Sequence, residues 1–177
     1  MHEAMQTYSR TLNKFYCDTK ALWQVDFDWE GFKWIDCNDN ENSVVSFIRK
    51  AKDRNDFIIV LCNFTPETRE NYRVGVPSKG IYVEVFNSDD KGYGGSGGRN
   101  AGDLQTEDVP WHGREQSITL TLPPLAALFL RVKGQAGAGY IAPELERVTE
   151  VKGREEKEAP KVSHEAARED SQRIKSA

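Results

Sequence analysis

An antiparallel β-sandwich preceded by one α-helix and followed by a disordered polar tail is the fold that this sequence predicts, and three patterns predict it. Between residues 43 and 132, short β-branched or alternating runs succeed one another, punctuated by Gly, Pro, Asn and Asp, with no helical period between them. Before residue 24 the apolar residues recur at helical spacing instead. After Gly134 apolar anchors become scarce and charges of both signs crowd together.

At the N-terminal end, Met5, Tyr8, Leu12 and Phe15, with Trp23 further on, recur at intervals of three and four, which puts them on one face of an amphipathic helix over residues 3–21. Left without a neighbour, that apolar stripe would be exposed and would promote self-association. The runs at 43–49, 57–63, 72–74, 81–86, 117–122 and 127–132 read as strands, six or seven in all, and strands without intervening helices imply an antiparallel sandwich. Residues 57–61 are apolar at every position, the mark of a central strand covered on both faces. In 117–122, Ile118, Leu120 and Leu122 alternate with Ser117, Thr119 and Thr121, so one face is turned to a core, and Pro123-Pro124 ends the strand. The chain thus divides into a helix at 1–24, an all-β domain at 25–133, and a tail at 134–177 that cannot bury enough apolar surface to offset its ordering entropy.

Composition narrows the functional classes. The chain has 177 residues, enough for one medium domain and too few for a (β/α)₈ barrel, which needs roughly 250. A formal charge of −4 with interspersed signs gives nucleic acid or anionic membrane no basic face to bind. No apolar leader or membrane-length apolar run is visible, and the three cysteines show no metal or disulfide spacing, so free thiols in a cytoplasmic protein are expected.

Several motifs resolve into ordinary structure. Gly92-Tyr93-Gly94-Gly95-Ser96-Gly97 satisfies the G-x-G-x-x-G pattern, but Gly98-Arg99-Asn100-Ala101-Gly102-Asp103 cannot open a phosphate-binding helix, so a flexible hairpin loop is expected and no nucleotide cofactor. Asp36, Asn38 and Asn40 alternate as calcium ligands do, yet Glu41 and Phe47 stand where Gly and Glu are required, leaving a hydrogen-bonded turn and no metal site. His112 has neither a second histidine nor a nucleophile beside it in sequence and reads as a turn residue. The densest feature is the set Trp23, Phe27, Trp29, Phe32 and Trp34, interleaved with Asp26, Asp28, Glu30 and Asp36. Such rings either staple the helix onto the sandwich, with one or two left exposed, or present flat faces to pyranose rings.

The segment Val25-Asp26-Phe27-Asp28-Trp29-Glu30-Gly31-Phe32-Lys33-Trp34-Ile35-Asp36, followed by Asn38-Asp39 and Asn42-Ser43-Val44-Val45-Ser46-Phe47, resembles the junction between catalytic barrel and C-terminal β-domain in 1,4-α-glucan branching enzymes of the α-amylase clan. Val60-Leu61-Cys62-Asn63-Phe64-Thr65-Pro66, Tyr72-Arg73-Val74-Gly75-Val76-Pro77, Asn87-Ser88-Asp89, Tyr93-Gly94-Gly95-Ser96-Gly97, Pro110-Trp111-His112-Gly113-Arg114 and Leu120-Thr121-Leu122-Pro123-Pro124-Leu125 continue the resemblance in order. The opening helix, through Leu12-Asn13 and Phe15-Tyr16, resembles the last helix of that barrel.

The resemblance implies an α-amylase C-terminal-type domain in a glucan-branching context, where an α-1,4 bond is cleaved by retaining double displacement and the chain is passed to a 6-hydroxyl. It implies no catalytic residue here, since the family's nucleophile, acid/base and stabilising carboxylates lie on barrel strands that no position of this sequence matches. It implies glucan contacts for Trp29, Phe32, Trp34, Asp36 and Asp39, with a catalytic barrel, in the same or a partner chain, beside them. Inactivity alone is the expectation, and a stand-alone glucan-binding module is the alternative.

Overall fold

The computed structural model describes residues 2–134; the tail expected at 134–177 lies, apart from Gly134, outside the described residues. The elements are α1 (His2–Asp18), α2 (Lys20–Trp23), a 3₁₀ turn at Trp29–Gly31, and eight strands: β1 (Phe32–Asp39), β2 (Val44–Lys50), β3 (Phe57–Asn63), β4 (Arg69–Val76), β5 (Ile81–Asn87), β6 (Leu104–Gln105), β7 (Gln116–Leu122) and β8 (Ala127–Val132). One sheet runs β1-β2-β3-β8-β5-β6 and the other pairs β4 with β7. Every pairing is antiparallel.

The all-apolar run of β3 is explained by its position between β2 and β8 with both faces covered. Phe57, Ile59 and Leu61 point into the sandwich core with Val74, Val76, Ile118, Leu120 and Leu122 of the small sheet. Ile58 and Val60 point the other way, into a second core formed with Phe15, Ala21, Val85 and Phe86. The domain therefore has three layers: helix, large sheet, small sheet. Ile118, Leu120 and Leu122 face the core as their alternation requires. Ser117, whose parity turns it away, is nonetheless buried, because its hydroxyl donates to the Val109 carbonyl at 2.8 Å and accepts from Arg73 at 2.8 Å.

Three expectations change. The helix is two pieces: Thr19 adopts extended backbone (φ −106°), which turns α2 so that Ala21 is buried near β2 and β3. Its apolar stripe is not free, since Phe15 is 1% exposed, stacked on Phe86 with centroids 5.1 Å apart and edge-on to Phe129 at 5.3 Å. Tyr8 packs on Phe86 and Tyr93, and Met5 alone of the stripe's first four residues is exposed. Nor are the rings at 23–34 the main staple of the helix, to which Trp23 adds one hydrogen bond, its indole N–H donating to the Cys17 carbonyl at 3.1 Å. That role falls to Phe15, Phe86, Phe129, Tyr8 and Tyr93, which lie far apart in sequence and meet only once the sheet forms.

The strand count also rises, because β1 lies within the aromatic segment and β6 has only two residues. The glycine-rich segment does bridge two antiparallel strands, β5 and β6. Its conformation is specified by Asp89, whose carboxylate accepts from the Ser96 amide at 2.8 Å, the Ser96 hydroxyl and the Gly98 amide at 3.3 Å. Among the described residues, no helix is long and apolar enough to cross a membrane, and Cys17, Cys37 and Cys62 are free thiols.

Candidate functional site

Strand β1 is the edge of the large sheet, and an irregularity in it sorts the predicted contact residues onto two faces. Trp34 lies opposite Phe47, and after a register shift Asp36 lies opposite Ser46. Strict alternation would put Trp34 and Asp36 on the same face; one extra residue reverses this, as a β-bulge does. Phe32 and Trp34 consequently gather with Phe47 on the helix-side face, the Phe32 and Trp34 rings edge-to-face at 4.8 Å and the Trp34 and Phe47 rings at 5.8 Å. Ile35 turns into the sandwich core, and Asp36 lines a cleft at its rim.

The 23–34 segment is tied down by polar contacts, with its rings other than Phe32 left exposed. Arg49 donates to the Leu22 carbonyl at 3.0 Å and to Asp26 at 2.6 Å; the Gln24 side chain accepts from the Lys52 amide at 3.0 Å; Arg54 pairs with Glu30 at 3.1 Å. Asp28 caps the 3₁₀ turn by accepting from the Glu30 amide. Gly31 packs so closely that a Cβ there would lie 1.8 Å from the Val25 carbonyl oxygen. Around this braced backbone Phe27 is 106%, Trp29 84% and Trp34 49% exposed. Trp23 and Phe27 border a concavity of about 560 Å³ with Asp26 and Asp28. Trp29 and Phe32 border another of about 350 Å³ with Lys33, Lys50 and Arg54.

The cleft on the other face, about 680 Å³, lies between β1 and β4 and is lined by Asp36, Asp39, Tyr72, Arg73, Trp111 and His112 among others. Asp39 Oδ1 accepts from the Asn42 amide and side chain, and Oδ2 from the Asn42 side chain and the Tyr72 hydroxyl at 2.9 Å. All four lone-pair positions of that carboxylate are occupied. Burial pushes its pKa up, but the Asn42 and Tyr72 hydrogen bonds, with a contribution from His112, bring it below the ordinary value. Burial, followed by the hydrogen bond to Asp39, raises the Tyr72 hydroxyl far above an ordinary phenol.

His112 does sit in a turn, with φ 51° in a hairpin closed by reciprocal backbone hydrogen bonds between Trp111 and Arg114. The structure adds a role that its sequence neighbours do not reveal. Nδ1 accepts from the Gly75 amide at 3.4 Å, so the neutral ring carries its proton on Nε2, which faces Asp36 Oδ2 at 3.3 Å.

Burial lowers the His112 pKa from its ordinary 6.5, with Arg114 acting the same way and Asp36 and Asp39 opposing. The unfolded chain therefore binds the proton more readily than the folded one, and stability present above 6.5 is lost as pH falls below it. The melting temperature is expected to fall between about pH 7.5 and about pH 5, a window above the titration of the carboxylates. His112→Asn, which tolerates the left-handed backbone, should flatten that decline in thermal melts. An unchanged pH profile in the variant would assign the decline elsewhere.

Of the five residues proposed for glucan contact, the structure thus groups Trp29, Phe32 and Trp34 on the outer side and Asp36 with Asp39 in the cleft. The turn expected at Asp36, Asn38 and Asn40 starts only at Asn40; Asp36 and Asn38 lie within β1, where Asp36 Oδ1 accepts from the Asn38 amide at 2.9 Å. Sequence reasoning missed Tyr72, Arg73 and Trp111 as neighbours of the aspartates. A signal for Trp111 existed: an aromatic between Pro110 and Gly113 has no strand in which to bury its ring. Among the described residues no three His, Cys, Asp or Glu side chains gather as a metal site.

Comparison with known proteins gives a consistent result. The family described as alpha amylase, C-terminal all-beta domain matches residues 34–133. A 1,4-alpha-glucan branching enzyme of Halothermothrix orenii is 50% identical over 135 residues, covering 76% of this chain and 21% of that protein. One from Rubrobacter xylanophilus is 58% identical over 120 residues, 68% of this chain and 16% of that protein, and one from Synechocystis is 45% identical over 143 residues, 81% and 19%. The chain spans about a fifth of the length of these curated relatives, at their C-terminal end.

Proposed function

The chain belongs to the alpha-amylase C-terminal all-beta domain family, in the form carried by 1,4-alpha-glucan branching enzymes, and from that premise we propose that it is the non-catalytic β-domain of such an enzyme in the cytoplasm. It braces a catalytic barrel supplied by the rest of the polypeptide or by a partner chain, and it contacts the α-glucan on which the barrel acts. The observation that carries this reading is the run of rings at Trp23, Phe27, Trp29 and Trp34, left exposed on a backbone that Arg49, Arg54 and Gly31 hold in place. Elsewhere in the domain most large apolar side chains lie in one of two cores. Large rings exposed together on a braced segment support a binding surface there.

The carboxylates also support a non-catalytic role. A glycoside-cleaving pair needs one acid with a raised pKa facing a second carboxylate across the scissile bond. Asp39 is lowered and saturated, and Asp36 is engaged with His112 and the Asn38 amide.

The purified chain is expected to form no α-1,6 linkages when incubated with linear amylose, assayed by debranching and chain-length analysis. Measurable branching would overturn the reading. A second reading, an autonomous glucan-binding module, is favoured by the exposure of Trp29 and Trp34. It requires retardation of the isolated chain in glycogen gels that Trp34→Ala diminishes. No retardation, or retardation unchanged by Trp34→Ala, counts against this second reading.

A further inference from the structure

Resting on the glucan-contact reading above, we infer that the cleft between β1 and β4 is a separate glucan subsite whose stacking platform is the indole of Trp111. Trp111 is 45% exposed and borders the cleft from the 111–114 hairpin. That hairpin is rigidly seated. Its ends exchange backbone hydrogen bonds at 2.9 and 3.0 Å, and it lies so close to β4 that a Cβ on Gly75 would stand 2.1 Å from the Trp111 carbonyl oxygen.

The polar walls are equally preorganised, which removes the ordering cost that binding otherwise incurs. Tyr72 is held by Asp39, and Asp39 by Asn42. Arg73 is held by Ser117 and Glu107, each at 2.8 Å.

The charges of the lining exclude an anionic ligand. Asp36, Asp39 and Glu70 stand against Arg69 and Arg73, with Arg69 already paired to Glu67 and Arg73 to Glu107. A phosphate finds no uncompensated cation there, and the three carboxylates stand as hydrogen-bond acceptors. A hydroxyl-rich ligand does find hydrogen-bonding capacity. Asp36 uses one acceptor position on each oxygen, for Asn38 and for His112, leaving others open. Asn71, at φ 54°, is exposed on the cleft wall. An aromatic plate flanked by fixed hydrogen-bond acceptors is the chemistry of a pyranose site. The bulge in β1 separates it from the site that Trp34 borders.

The test uses the full chain, whose four tryptophans supply four indole N–H signals in a ¹H–¹⁵N spectrum, each assigned by its Trp→Phe variant. On titration with maltoheptaose the Trp111 signal is expected to shift saturably, and Trp111→Ala to weaken affinity about tenfold with an unchanged melting temperature. Shifts confined to Trp29 or Trp34 overturn this inference while leaving glucan contact standing. No indole shift at saturating sugar overturns both. Because the titration is made on the wild-type chain and needs only the conservative Trp→Phe variants for assignment, a misfolded Trp111→Ala protein does not remove the test.

Discussion

Phe15→Ala is expected to destabilise the domain by about 3–5 kcal/mol, the usual cost of truncating a fully buried phenylalanine, and to lower its melting temperature by roughly 10–20 °C. The ring is 1% exposed and wedged between Phe86 and Phe129, so its removal leaves a void that two strands and a helix cannot close without moving the sheet. Met5→Ala, on the exposed part of the same helix, is expected to change stability by less than about 0.5 kcal/mol. Denaturant unfolding of the two variants separates the possibilities. If α1 were an appendage whose apolar stripe awaited a barrel, both substitutions would be silent. A large Phe15 effect instead makes α1 one of the three layers of this domain. The same result bears on self-association, because a helix whose central ring is buried has little stripe left to offer a second copy.

Gly31→Ala is the second large effect, and its cause is steric. The added methyl would have to occupy a point 1.8 Å from the Val25 carbonyl oxygen and 2.9 Å from the carbonyl carbon. Both neighbours are backbone, so no side-chain rotation relieves the overlap, and the 25–31 loop must open. A cost of about 3 kcal/mol is expected. The displacement should be local, shifting the indole signals of Trp29 and Trp34 while that of Trp111 stays in place, and weakening whatever the outer aromatic face binds. A variant with wild-type stability and unmoved indoles would mean that the loop is not clamped at Gly31 and that the outer rings are not displayed on a braced backbone.

How much of this was legible depends on how far apart the interacting residues lie. Strand β3 could be read from residues 57–61, because full burial on both faces forces an unbroken apolar run, and β7 from its alternation. The bulge in β1 could not. Local propensity is indifferent to whether Ile35 and Asp36 share a face, and only the pairing with β2 and the presence of the small sheet beside it establish that they do. The same holds for His112. Its neighbours in sequence say turn, and its partners Asp36 and Gly75 arrive from two other strands. The aromatic segment misled for a related reason: ring content signals a need for contact but not the identity of the partner.

Strand periodicity, turn residues and ordered short motifs depend on neighbours in the chain, and they were enough to establish the β-sandwich, the helix in front of it and the family. Which rings are covered and which are displayed, that Asp39 is saturated while Asp36 keeps open acceptor positions, and that Trp111 rather than Trp34 stands beside them came only from the packed molecule. Burial and hydrogen bonding are settled between residues tens of positions apart, where neither periodicity nor propensity reaches.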